Sequence, residues 1–242
     1  MADMNPDVTY IDRIVSILRE RRIVRYRDLI NSGIPAFAVK RALSRGVIAR
    51  FPDDINPVGL FLGNTLNSEY GDAERIIGVM AKHQKAVVWS LSAMKLHELI
   101  DRNSSDITTI IVPPGSNRSS RDPMVKISTS ANPALLEVGV NEVDIYGFRV
   151  RVTNVWRTVI DAIRIGTSSS SGQISMEEVK SSVLDAVVHG RDGIIGHQAL
   201  NRMAKYAIDL KYPSRVLGYL DAVAGFIDNR VVSDEGSSGP KL

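Results

Sequence analysis

Three constellations in this sequence have residue types that do chemistry elsewhere. Asp161, followed at a distance by Glu178-Val179-Lys180, has the composition of the Asp…Glu-x-Lys set with which many nucleases hold a divalent metal. The local pattern opposes that use. Ser175-Met176-Glu177-Glu178 is a capping box, in which the serine caps a helix and Glu178 reaches back to its start. A helix start also turns Glu178 and Lys180 to different faces, whereas a strand edge would align alternate residues. Ser92 and His97 are five apart on one predicted helix, a spacing that does not bring a nucleophile to its base. Gly190, Gly193 and Gly196 lack a preceding strand and a following Gly-Lys-Ser/Thr, so GRDGIIG reads as a turn between helices and not as a phosphate loop. The chain has no cysteine, and His83, His97, His189 and His197 lack the spacing of zinc modules. The expectation is a protein that is not an enzyme and needs no metal and no cofactor.

The basic residues carry a different chemistry. Between Val8 and Phe51 there are ten Lys/Arg against three acids, a surplus of seven, so the rest of the chain is net −4 within an overall +3. A basic segment joined to a mildly acidic body is the charge pattern of a polyanion reader fused to another function. Phe37, Lys40, Arg41, Ser44 and Arg45 fall on one stripe of a predicted helix, Ala36–Arg45, whose inner face is Val39, Ala42 and Leu43. A helix fits the major groove, where such donors and acceptors read base edges. Arg25 and Arg27 stand at the start of the preceding helix, suited to phosphate contacts that fix register, and Arg50 extends the set. The partner so implied is double-stranded DNA. Asp53 and Asp54, at the tip of the following hairpin, imply a wing held off the phosphates. Phe37 leaves open a protein-binding module instead. A possible secondary basic patch comprises Arg118 and Arg121, in a loop that also reads as simply solvated, with Arg149 and Arg151 alternating on one strand face.

These residues need elements to hold them. Ile11, Ile14, Val15 and Leu18 follow helical spacing, with Thr9 as the expected cap. A short helix is predicted over Tyr26–Asn31, Gly33-Ile34-Pro35 stops it and starts the next, and Gly46 ends that one. Two strand-like runs, Val47–Phe51 and Val58–Leu62, complete a winged helix-turn-helix. Further on, helices are expected over Asp72–His83, Ser92–Ile100 and Val155–Ile165. Strands are expected over Ala86–Trp89, Ile107–Val112, Val125–Ser128, Glu142–Ile145 and Phe148–Val152, with Tyr146-Gly147 turning the last pair. Met176 to about Arg230 reads helical, and Trp89 and Trp156 read as core.

The expected fold class is α+β. Residues 1–63 form the winged helix-turn-helix, 64–166 a mixed α/β domain and 167–232 a helical C-terminal region packed on it, with 233–242 a mobile tail. No run approaches the eighteen apolar residues of a membrane span, and Met1–Asp7 is acidic and polar, so a cytoplasmic protein with no membrane partner is expected.

The order of these features resembles the AbiEi-type antitoxins of bacterial type IV toxin–antitoxin (abortive infection) systems. The likeness rests on "DLINSGIPAFAVKRALSRGVIARF…GLFLGN", similar to that family's helix-turn-helix and "G-x-L-x-R…G-x-Y" wing. Arg50 and Gly59 match there, and Phe61 replaces the tyrosine. It continues in "AVVWSLSAMKLHEL", where Glu98 stands at a position commonly glycine, in "ITTIIVPPG", and in "VTNVWRTVIDAIR", similar to a recurrent Thr-x-x-Arg-Thr-x-x-Asp helix start. It covers about Ile11 to Gly166. The resemblance implies an antitoxin that represses its own operon at inverted repeats and counteracts a nucleotidyltransferase-like toxin without a stable complex. The alternative is a stand-alone winged-helix transcriptional regulator or interaction module with no toxin partner.

Overall fold

A computed structural model of the chain describes residues 6–51, 59–62, 71–83, 85–100, 107–116, 120, 122–166, 175–191 and 193–236. It is of mixed α and β structure, with ten helices and eight strands among those residues. The chain divides into two compact units, each assembled from three segments. The first comprises Met1–Ala86, Asp106–Thr129 and Glu142–Arg151, the second Val87–Ser105, Ser130–Asn141 and Val152–Leu242.

In the first unit, helix α1 (Pro6–Arg21) turns Ile14 and Leu18 inward. It begins three residues before Thr9, so Thr9 lies within the helix and is not its cap. Arg22 takes a left-handed conformation, φ 56°, and delivers the chain into β1 (Val24–Arg25), a strand absent from the sequence reading. Helix α2 (Tyr26–Asn31) ends at a turn in which Gly33 has φ 80°, a conformation that strains a side-chain-bearing residue. Pro35 then starts α3 (Ala36–Ser44), which stops at Gly46, φ 69°. Strands β2 (Ile48–Arg50) and β3 (Gly59–Leu62) follow, and the antiparallel order is β1-β3-β2. Leu60 pairs with both Val24 and Arg50, so β3 closes the sheet over the helices. Ile14, Leu18, Leu29, Ile34, Val39 and Ile48 form its core. Each such side chain contributes about 1.5–3 kcal/mol on burial.

The same unit contains α4 (Asp72–Lys82), the parallel strands β5 (Thr108–Val112) and β6 (Val125–Thr129), and most of a hairpin. Thr108 donates to Asp72 at 2.7 Å and Arg75 pairs with Asp122 at 2.8 Å, which fixes α4 against these strands. The hairpin joins β7 (Val140–Ile145) to β8 (Phe148–Thr153). Its turn residues Tyr146 and Gly147 have φ 54° and 81°, the type I′ pattern matching strand twist. Gly147 N–H donates to Asp144 at 2.8 Å.

The second unit is largely helical. Strand β4 (Val87–Val88) pairs in parallel with the end of β8, Val88 opposite Val152. Helix α5 (Ser90–Leu96) ends just before Glu98, whose φ of 56° is one that glycine adopts without strain. The short helix α6 (Ala134–Glu137) is another element the sequence did not signal. Around α7 (Val155–Gly166) pack α8 (Met176–Val188), α9 (Gly196–Asp209) and α10 (Ser214–Gly236), with Trp156, Val159, Ile163, Val183, Met203 and Leu220 in one core. The capping box at Ser175 is present: its hydroxyl accepts the Glu178 N–H, while Glu178 accepts the Ser175 N–H. Between α8 and α9, Arg191 and Ile194 form an isolated bridge, the turn expected from GRDGIIG. Helix α10 reaches Gly236, four residues into the segment read as a tail.

Candidate nucleic-acid interface

Helix α3 separates its residues cleanly. Ala38, Val39 and Ala42 are buried at 2% exposure or less, whereas Phe37, Lys40, Arg41, Ser44 and Arg45 are exposed. The sequence fold pattern produces this directly, since i, i+3, i+4 apolar positions seek the core and leave the opposite stripe in water. Phe37 is 55% exposed and meets Tyr10 edge to face, with ring centroids 6.2 Å apart. The Ser44 hydroxyl donates to the Arg41 carbonyl at 2.9 Å, so toward a ligand its oxygen serves as an acceptor.

The other basic residues converge elsewhere in the same unit. Arg25, Arg27, Arg50 and Arg149 line one cleft of about 580 Å³, whose apolar wall includes Leu60, Ile77, Met80 and Phe148. Arg25 caps no helix hydrogen bond through its side chain; its guanidinium lies over the Phe148 ring instead. Arg27 is 73% exposed, with Asp28 3.9 Å away, and Arg149 is 87% exposed, with Glu142 3.9 Å away. Contacts of that length between solvated side chains hold little energy. Arg151 alternates with Arg149 along β8 as expected, but it donates to the Lys85 carbonyl at 3.1 Å. Arg118, Arg121, Asp53 and Asp54 lie outside the described residues.

The chain matches no family model and no curated protein.

The second unit holds a polar cluster around Asp161 whose other members the sequence did not join to it. Arg157 and Asp161 are both fully buried and paired at 3.0 Å. Arg157 also donates to the Val138 carbonyl at 2.6 Å, and the Tyr212 hydroxyl donates to Asp161. Burial, and then the Asp161 charge, push the Tyr212 hydroxyl well above the usual tyrosine range. Arg164 stacks between the rings of Trp89 and Tyr212, at 5.4 and 5.0 Å. Closed off from solvent, Arg157 and Asp161 join α6, α7 and the loop before α10. The Asp161 side chain is thereby committed, and Glu178 is committed to its cap. Among the described residues no group of three or more His, Asp or Glu is placed to hold a metal ion, and no helix is long and apolar enough to cross a membrane.

Proposed function

We propose that the chain is a sequence-specific DNA-binding repressor whose residues 6–62 act as a winged helix-turn-helix, with α3 as the recognition helix. The observation that carries this reading is the exposure of Phe37, Lys40, Arg41, Ser44 and Arg45 on a helix whose opposite face is buried. Arg41 and Arg45 are one helical turn apart and enter the major groove together, each able to present a bidentate fork to a guanine. Phe37 offers an apolar contact to a thymine methyl. Arg25, Arg27 and Arg50 take phosphate oxygens. Following the AbiEi resemblance, the repressor autoregulates its operon at inverted repeats and serves as the antitoxin to a nucleotidyltransferase-like toxin, acting in the cytoplasm. The left-handed backbone of Glu98 supports that resemblance, since it is the conformation that would favour the glycine common at this position.

The test is a titration of the full chain with duplexes from the DNA preceding its own gene and with a scrambled duplex. Arg41→Ala and Arg45→Ala are expected to cost about 1–3 kcal/mol on the operator and much less on the scrambled sequence. Equal losses on both duplexes would remove α3 as the reading surface. Loss of a protein partner upon Phe37→Ala, with DNA affinity unchanged, would favour an interaction module. Co-expression with a downstream nucleotidyltransferase-like gene tests the antitoxin role through rescue of growth.

A further inference from the structure

The cleft of Arg25, Arg27, Arg50 and Arg149 has a composition that a groove for duplex backbone does not need. Its volume of about 580 Å³ lies within the range of small-molecule sites. Four arginines from three elements and a hairpin strand line it, and among the described residues no carboxylate does. Among the described residues no carboxylate pairs with Arg25 or Arg50, and those beside Arg27 and Arg149 stand at 3.9 Å. Like charges so gathered repel, and an anion bound among them relieves that repulsion. The remaining wall is apolar: Leu60, Ile77, Met80, Ala81 and Phe148. Arg25 lies with its guanidinium carbon 4.1 Å from the Phe148 ring centroid. A guanidinium held on a ring keeps a second flat face, on which a nucleobase stacks.

We propose that this cleft binds a nucleoside polyphosphate, the arginines taking the phosphates and the apolar wall with the Arg25 plane taking the base. Inorganic anions would leave the wall unused, and an uncharged apolar molecule would leave Arg25 and Arg50 without a countercharge. The site stands independently of the DNA reading. Because Arg25, Arg27 and Arg50 are shared with the residues assigned to phosphate oxygens, the nucleotide would also compete with DNA.

The experiment is calorimetric titration of the full chain, without DNA, by ATP, GTP, pyrophosphate and adenosine at 0.15 M salt, about the physiological ionic strength. Micromolar binding of at least one triphosphate is expected, ten-fold or more tighter than pyrophosphate or adenosine. Arg50→Ala and Arg149→Ala, both at exposed side chains, are expected to weaken it ten-fold or more. Met80→Glu, which puts a carboxylate on the wall, is expected to abolish it, with circular dichroism unchanged for all three. No heat from either triphosphate would overturn the inference. So would pyrophosphate binding as tightly as ATP and GTP, or triphosphate binding that none of the three variants alters.

Discussion

The guanidinium of Arg25 lies 4.1 Å from the centre of the Phe148 ring, although the two residues are separated by most of the first unit's sequence. A cation over an aromatic face contributes about 0.5–1 kcal/mol at an exposed site and more when desolvated. Arg25→Ala, Phe148→Leu and the double variant, compared by urea denaturation, are expected to give a coupling of about that size. A coupling of zero would mean that Phe148 is held by its apolar neighbours alone.

Arg27, one of the arginines assigned to phosphate, has a side chain that is 73% exposed. A residue that meets phosphate releases one condensed counterion and reads no sequence. Arg27→Ala is therefore expected to weaken operator and scrambled DNA alike and to lower the slope of log affinity against log salt by about one. A loss confined to the operator would make Arg27 a base reader.

Inside the second unit, removing one member of the buried pair leaves the other uncompensated. Asp161→Asn is expected to destabilise by about 3–5 kcal/mol, because Arg157 stays buried without a countercharge. Tyr212→Phe removes one donor to the same carboxylate and is expected to cost about 1–3 kcal/mol. Chemical denaturation measures both. A near-neutral Asp161→Asn would show that water reaches Arg157 in solution.

Much of this was legible in the sequence where the signal is local. The period of α1, the Gly33-Ile34-Pro35 break and the glycine after α3 fixed the elements that present Arg41 and Arg45. What escaped was either too short or too distant. Strand β1 has two residues, too few for alternation to register, and its strand partners Leu60 and Gly59 lie far along the chain. Arg157 and Asp161 sit four apart on α7, the spacing of an ordinary solvated ion pair; their burial, and their bonds to the Val138 carbonyl and to Tyr212, depend on segments far away in sequence. Likewise the arginine cleft draws on Arg25, Met80 and Arg149, which no window of sequence contains together.

Among the groups whose titration folding shifts, Tyr212 and His83 act in opposite pH limbs. Tyr212 stays protonated in the folded chain above pH 10, where it would ionise in the unfolded one, so its stabilisation is present below pH 10 and is lost as pH rises beyond it. Tyr212→Phe is expected to flatten that alkaline limb. Desolvation, and then Lys82, lower His83 below 6.5, so its contribution is full above pH 6.5 and is lost as pH falls through the lowered value. His83→Gln is expected to remove that small acid-side loss. Thermal melts between pH 5 and 11 read both, and unchanged limbs in the variants would assign the dependence to other groups.

The first unit is assembled from three separated stretches of chain, the last of them Glu142–Arg151. A ribosome adding roughly 5–20 residues per second needs about 8–30 s to supply them all. The helices and three-stranded sheet of residues 6–62 have their own buried core and emerge first. Phe148 and Arg149 emerge last. During each round of synthesis α3 thus exists before the wall of the arginine cleft does, so on the proposed readings a nascent chain passes through a stage able to meet DNA but not yet to hold a nucleotide.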